Sequence, residues 1–305
     1  MKSRILIGTR GSRLALAQTT QVIEELERVS RNVKCEIVPI RTKGDKIHEL
    51  DTTIVEGKSL FTKEIEEALL QGRVDIAVHS MKDLTTDQSA GITIAAVPRR
   101  ANPHDVLVSR DKRKFSQLLP RARVGTSSPR RKSQLLAARG DLEIVDIQGN
   151  VDTRLRKLSS RDYDAIVLAA AGLERLNMSH YVTDVLSTDL MLPAVGQGAL
   201  AVQSRDDDHE TLELIMRIDH PQTRREIEAE RAFARKLGAN CKTPIAAHAR
   251  SRSSTLTIEG MVASPNGRML VRGRITSDDP NSAHIGEELA KSLLDKGAAA
   301  VLEAA

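Results

Sequence analysis

Aromatic residues are nearly absent from this chain. Its 305 residues include no tryptophan, two tyrosines and three phenylalanines. Proteins that hold single-stranded nucleic acid usually stack bases on aromatic side chains, so this composition disfavours nucleic acid as a partner. The formal net charge of +5, from 46 basic and 41 acidic residues, therefore fits a small anionic ligand better than a polynucleotide.

Cysteines and long apolar runs are also scarce. Two cysteines, Cys35 and Cys241, do not make a disulfide framework. No apolar run approaches the ~18 residues that a membrane helix needs, and the basic N-terminus has no run long enough for a secretory signal. We therefore expect a cytoplasmic protein without a membrane partner.

Strand and helix patterns alternate in the first part of the chain. Residues 5–7, 35–40 and 74–78 have strand patterns, while residues 14–29 and 60–70 have apolar residues at helical spacing. This order predicts an α/β fold with parallel strands and crossover helices.

A second stretch repeats this order, which predicts two similar α/β lobes. Residues 123–131 resemble residues 6–13, and residues 163–168 resemble residues 74–79. From residue 219 onward a charged helix, alternating runs and a last helix predict a smaller α+β domain. The domains are expected at residues 1–99 with 199–216 (lobe 1), 104–194 (lobe 2) and 217–305 (C-terminal domain).

Two turns have the composition of anion sites. Residues 8–12 (GTRGS) and 125–131 (GTSSPRR) each join a strand pattern to a helix pattern. The first turn of a helix offers free backbone N–H groups and a positive dipole end, to which hydroxyls and Arg10 or Arg130 add donors. Ordinary helix capping explains either turn alone equally well. The Gly-x-x-x-x-Gly-Lys-Ser/Thr pattern of a P-loop does not occur.

Asp83 follows a buried strand directly, in the segment Ser80-Met81-Lys82-Asp83-Leu84. Open α/β sheets bind ligands at the carboxyl ends of their strands, so Asp83 is a candidate for stabilising a cation or moving a proton. The alternative is a helix cap at Asp83. His79 is expected in the core or behind the site.

Cys241 lies in a loop just after a helix. It has no neighbours at metal-ligand spacing, so no metal site is expected. The residues themselves leave Cys241 equally open to a buried filler role and to covalent attachment. Cys35, on an apolar strand, is expected in the core.

Taken in order, several segments resemble the porphobilinogen deaminase (hydroxymethylbilane synthase) family over nearly the whole chain. Besides the two turns and the Cys241 loop they are LFTKE (60–64), VHSMKDL (78–84), GNVDTRL (149–155), AGLERL (171–176) and PAVGQGA (193–199). The resemblance implies two lobes like type II periplasmic binding proteins and a third α+β domain that carries the cysteine.

The same resemblance implies a function in porphyrin and heme biosynthesis. Cys241 would hold a dipyrromethane cofactor by a thioether, and four porphobilinogen units would add to it to give hydroxymethylbilane. Asp83, beside Lys82, would stabilise the azafulvenium cation that forms when porphobilinogen loses ammonia. The chain is expected to act as a monomer.

Carboxylate binding is implied for a larger set of residues. Each pyrrole carries an acetate and a propionate, and guanidinium groups pair with carboxylates in bidentate fashion. The set is Arg10, Ser12, Ser80, Lys82, Thr126, Ser128, Arg130, Arg131, Arg154 and Arg175, lining a cleft between the lobes, with Phe61 and the 42–59 loop as a lid. The chain departs from the family at Gln148, where Arg is usual, and at Gln203, where an acid is common.

Overall fold

The structure is a computed structural model that describes residues 2–43, 62–87, 89–160, 162–238 and 243–303. The chain forms two compact units. The first comprises Met1–Ala101 and Ala199–Arg224, and the second comprises Asn102–Gly198 and Arg225–Ala305. The predicted Phe61 and Cys241 lie outside the described residues, as does most of the 42–59 loop.

The strands of the described residues are β1 Arg4–Thr9, β2 Lys34–Pro39, β3 Ile76–Ser80, β4 Ile92–Ala96, β5 Asp105–Ser109, β6 Arg123–Gly125, β7 Glu143–Val145, β8 Ala165–Ala169, β9 Asp184–Val185, β10 Leu200–Arg205, β11 Ile245–Arg252, β12 Thr255–Ala263 and β13 Leu270–Ser277. The α-helices are α1 Arg13–Val29, α2 Lys63–Leu70, α3 Pro129–Ala138, α4 Val151–Ser159, α5 Ala170–Arg175, α6 His209–Ile215, α7 Pro221–Lys236, α8 Ser282–Leu293 and α9 Ala299–Glu303.

The first unit has a five-stranded sheet in the order β2-β1-β3-β10-β4. β1 pairs in parallel with β2 and β3, whereas β10 is antiparallel to β3 and β4. α1 buries Val22 and Leu26 against one face of this sheet, and α2 buries Ile65 and Leu69 against the other. Burying an aliphatic side chain of this size stabilises the fold by about 1.5–3 kcal/mol, so both helices are held by their apolar stripes.

The second unit contains two sheets. Its five-stranded sheet has the order β7-β6-β8-β5-β9, with β6 parallel to β7 and β8 and with β5 antiparallel to β8. The other sheet is the antiparallel β11-β12-β13, packed against α8. Phe233 of α7 is fully buried in the core of this C-terminal part. Its ring fits only because residue 260 of β12 is glycine, where a Cβ would lie 2.7 Å from the ring.

The α/β fold class is confirmed, with two similar five-stranded lobes and a small C-terminal α+β part. The predicted parallel pairs are present, as β1 with β2 and β3 and as β6 with β7 and β8, but each five-stranded sheet also includes antiparallel pairs formed by β10 or β5. Strand direction depends on where a connection leaves the sheet, which apolar spacing does not encode. The domain boundaries given above stay a prediction; the described C-terminal sheet belongs to the second compact unit.

Candidate active site

In the first unit, the turn after β1 leads straight into α1. Ser12 is the N-cap, and its Oγ accepts a hydrogen bond from the backbone N–H of Ala15 at 3.3 Å. Thr9 is fully buried, so its hydroxyl does not line an open anion pocket. Arg10 is half-buried. The capping interpretation therefore holds for Ser12, and Arg10 is the cation of this turn.

The carboxyl end of β3 presents a short polar segment. Oγ of Ser80 accepts a hydrogen bond from Nε2 of Gln18 at 2.8 Å, which anchors the strand end to α1. The following residues form a single 3-10 turn, Met81–Asp83, in which Met81 is buried while Lys82 and Asp83 are exposed. Asp83 lies inside this turn and is not a helix N-cap, so the alternative interpretation is wrong.

In the second unit, the turn after β6 has the same construction. Ser128 is the N-cap of α3, with Oγ accepting from the backbone N–H of Arg131 at 3.4 Å, and Pro129 occupies the first helical position. Thr126 is almost fully buried, and its Oγ1 accepts from the N–H of Ser128 at 3.2 Å. Both hydroxyls therefore stabilise the turn. Their predicted contact with a carboxylate remains a prediction.

Arg130 and Arg131 have a partner that the sequence analysis missed. Asp105, at the start of β5, is completely buried and accepts from Nη1 of Arg130 at 2.7 Å and from Nε of Arg131 at 2.8 Å. Burial raises the pKa of Asp105, but the attraction of the two guanidinium groups outweighs it and holds the pKa at about 2. In the sequence, the one signal for this partner is an acid at the start of an apolar strand pattern.

The same two arginines also bind backbone carbonyls. Arg130 donates to the carbonyl of Leu192 at 2.8 Å, and Arg131 donates to that of Val167 at 2.9 Å. The side chains are only 5% and 6% exposed, so their guanidinium groups serve the interior of the second unit. Direct binding of substrate carboxylates by these arginines remains a prediction.

Arg154 and Arg175 are half-buried and are held by carbonyl groups. Nε of Arg154 donates to Gly149 at 2.7 Å, and Nη2 of Arg175 donates to Gly198 at 3.0 Å. A guanidinium group has five donors, and these hydrogen bonds orient both groups. Gln148, also half-buried, forms no hydrogen bond within the described part of the chain.

Glu230 of α7 is a second residue that the sequence analysis missed. It is fully buried, and its two oxygens accept from the backbone N–H groups of Gly196 at 2.7 Å and Ala249 at 2.8 Å. A buried carboxylate that accepts from backbone amides stabilises their conformation. Glu230 thus ties the PAVGQGA segment and β11 to the helix that precedes the Cys241 loop.

Each unit by itself has donors suited to an anionic group. The first has the capped amino end of α1 and Arg10, and the second has the capped amino end of α3 together with Arg154 and Arg175. Donors of these kinds suit carboxylates. The expected cleft shared by both lobes stays a prediction, as does the lid role of Phe61.

The fold and its two capped, arginine-containing turns define an α/β protein with two similar lobes, whose turns are of a kind suited to anionic groups. Two family models identify the family. Residues 5–213 match "Porphobilinogen deaminase, dipyromethane cofactor binding domain", and residues 224–295 match "Porphobilinogen deaminase, C-terminal domain". The chain belongs to the porphobilinogen deaminase family.

Curated relatives agree along the full length. Porphobilinogen deaminase of Syntrophotalea carbinolica is 46% identical over 99% of this chain and 96% of its own. That of Syntrophus aciditrophicus is 48% identical over 97% of both chains. The enzyme of Pelotomaculum thermopropionicum is 46% identical over 100% of this chain and 98% of its own.

Solved structures give a weaker likeness. The periplasmic VFT2 domain of Bordetella pertussis BvgS has a TM-score of 0.44 and 12% identity, covering 71% of this chain and 86% of that domain. A score this low adds nothing to the sheet order described above.

Family membership makes the chain a hydroxymethylbilane synthase, an enzyme of tetrapyrrole biosynthesis that works with a dipyrromethane cofactor and uses porphobilinogen as substrate. Within the described residues, no helix is long and apolar enough to span a membrane. The same residues contain no cluster of three or more His, Cys, Asp or Glu side chains suited to a metal ion.

Proposed function

We propose that Asp83 is the catalytic carboxylate of this enzyme. The supporting observation is its exposure in the 3-10 turn directly after the buried strand β3. When bound, the dipyrromethane supplies the pyrrole carbon to which porphobilinogen is joined. Asp83 accepts hydrogen bonds from pyrrole N–H groups and stabilises the cation left when porphobilinogen releases ammonia.

The other exposed residue of this turn is Lys82, which brings a positive charge directly before Asp83 in the sequence. Lys82 also offers a donor to a substrate carboxylate. Ser80 orients the turn through its hydrogen bond with Gln18.

Arg10, Arg154 and Arg175 bind the acetate and propionate groups in this proposal. All three residues are half-buried, and the hydrogen bonds of Arg154 and Arg175 orient their guanidinium groups, which lowers the entropy that these two lose on pairing with a carboxylate. Arg130 and Arg131 act with Ser128 and Thr126 to hold the second turn in place. Their bonds to Asp105 support this assignment.

Cys241 is the proposed attachment point of the cofactor. The other cysteine is a poor nucleophile, because burial and the charge of Glu27 raise the pKa of the Cys35 thiol to about 11. Intact mass spectrometry tests the assignment. Replacement of Cys241 by serine should remove the mass of two linked pyrroles, whereas Cys35→Ser should keep it. A modified Cys241→Ser protein would refute the attachment.

Asp83 is tested by substitution with asparagine. We expect Asp83→Asn to keep its fold and cofactor while the release of ammonia and linear tetrapyrrole falls on the order of 10²-fold or more, because the charge facing the cation is lost. Asp87→Asn, an exposed aspartate on the same loop, is the matched control and should stay near wild type. Near-normal turnover by Asp83→Asn removes that residue from its role.

The proposal also includes a cytoplasmic monomer that does not bind nucleic acid. Size-exclusion chromatography with light scattering should give the chain mass of 33.4 kDa. Binding to an oligonucleotide should be weak at physiological salt. A dimer mass, or tight and salt-dependent oligonucleotide binding, would contradict these points.

A further inference from the structure

A buried pair of polar side chains lies beneath the carboxyl end of β3. His79 of β3 is 6% exposed and Gln203 of β10 is 2% exposed. Ala201 of β10 pairs with His79 across the antiparallel ladder. Since side chains two positions apart on a strand share a face, Gln203 lies diagonally across from His79 on the α2 side of the sheet.

Hydrogen bonding determines which way the Gln203 amide points. Its Nε2 donates to Oε1 of Glu66 on α2 at 3.1 Å, and Oε2 of Glu66 accepts from Oγ of Ser89 at 2.8 Å. The amide oxygen of Gln203 is therefore left as an acceptor. Within the described residues, that oxygen and Nε2 of His79 are both buried and have no hydrogen-bond partner. Two buried polar atoms without a bonded partner therefore lie on neighbouring strands of this sheet.

The surroundings of His79 favour a neutral imidazole. Burial lowers the pKa of His79, the interaction with Gln203 raises it, and the charge of Arg10 lowers it, so that it lies at about 4. β3 packs against β1, β10, α1 and α2. At this end of the sheet, the charged residues on these elements and their adjoining turns are Arg10, Arg13, Lys63, Glu64, Glu66, Lys82 and Asp83.

The side chain at position 203 determines whether a negative charge lies near the buried imidazole of His79. A glutamine brings no negative charge to the neighbourhood of the imidazole. A carboxylate at the same position would stabilise the imidazolium form and raise the proton affinity of His79. The acid that is hydrogen-bonded to Gln203 is Glu66, and its carboxylate accepts from both Gln203 and Ser89.

We propose that burial beside an uncharged residue at position 203 keeps His79 neutral, and that this holds the positive charge around the β1 turn constant across the neutral pH range. A second cation at His79 would change the binding of anionic substrate by Arg10. The link to substrate rests on the role of Arg10 proposed above. The protonation state of His79 does not depend on it.

The first test follows His79 by NMR in the full-length holoenzyme labelled with 13C at histidine. In the wild type we expect its ring signal to stay constant from about pH 5 to 9, where a free histidine titrates. Gln203→Glu should make the signal titrate within this range, a gain in proton affinity of at least about tenfold. Gln203→Met, which removes the amide without adding charge, is the matched control and should stay constant.

Signal assignment uses the variant His79→Gln, whose spectrum lacks the resonance. Should that variant fail to fold, the resonance displaced in Gln203→Met identifies His79 instead. A wild-type His79 that titrates between about pH 5.5 and 8 overturns the proposal. A Gln203→Glu protein whose His79 does not titrate also overturns it.

The second test measures the KM for porphobilinogen against pH. For Gln203→Glu, the plot of KM against pH should show an inflection at the midpoint of the His79 titration observed by NMR. For Gln203→Met it should show none. The inflection should vanish when His79→Gln is combined with Gln203→Glu. If the KM of Gln203→Glu shows no inflection at the NMR midpoint, the part of the proposal that concerns substrate binding is overturned. This outcome does not depend on the roles of Asp83 and Cys241.

Discussion

Replacing Asp105 by asparagine tests the buried ion pairs that hold the second turn. The substitution keeps the shape of the side chain but removes the one carboxylate that Arg130 and Arg131 share, at Nη–O distances of 2.7 Å. Both guanidinium groups remain buried, at 5% and 6% exposure, with their charge uncompensated. Breaking a buried pair in this way costs about 3–5 kcal/mol of unfolding free energy.

The pKa of Asp105 gives a second figure for the same interaction. A fall from 3.8 to about 2 on folding corresponds to about 2–3 kcal/mol. This stabilisation is present above the unfolded pKa and is lost as pH falls through the folded pKa. The wild type should therefore lose it between about pH 4 and pH 2. Asp105→Asn should lack that component of its acid sensitivity.

Urea unfolding monitored by circular dichroism at pH 7 and at lower pH measures both effects. Asp111→Asn is the control, because Asp111 is 57% exposed and lies 3.6 Å from its partner Arg110. Such a pair contributes about 0–1 kcal/mol. If Asp105→Asn at pH 7 is no less stable than Asp111→Asn, the buried pairs do not stabilise this unit and the reasoning is refuted.

Two further predictions concern single positions. Gly260→Ala places a methyl group 2.7 Å from the ring of Phe233 and should lower the free energy of unfolding in urea by about 1–3 kcal/mol. Gly11→Ala, with nothing within 4 Å of the added methyl, is the control and should not change stability. Equal unfolding free energies for the two variants would contradict the packing described for Gly260. Gln148→Arg should fold normally and speed chain elongation, measured by the rate of tetrapyrrole release, because Gln148 is half-buried and forms no hydrogen bond among the described residues. A collapse of activity in that variant would show that the local geometry rejects a cation.

Local features of this protein could be predicted from short stretches of sequence. Serine at the start of an apolar helical pattern predicts an N-cap, and Ser12 and Ser128 are caps in the structure. The apolar run before Ser80 likewise predicts the buried strand that ends at the Asp83 turn. These features follow because capping and periodicity act within a few residues.

Contacts between distant residues needed the tertiary structure. Asp105 meets Arg130 and Arg131 only because β5 and α3 pack together in the second unit, so two arginines predicted to line a cleft are buried. Gln203 comes beside His79 only because β10 inserts antiparallel between β3 and β4.

By itself, then, the amino-acid order determined the α/β class, the two capped turns and the family. The tertiary structure decided which polar groups are buried and which charges meet. Burial and pairing depend on strand direction and on packing between segments far apart in sequence, whereas propensity and capping depend on neighbours along the chain.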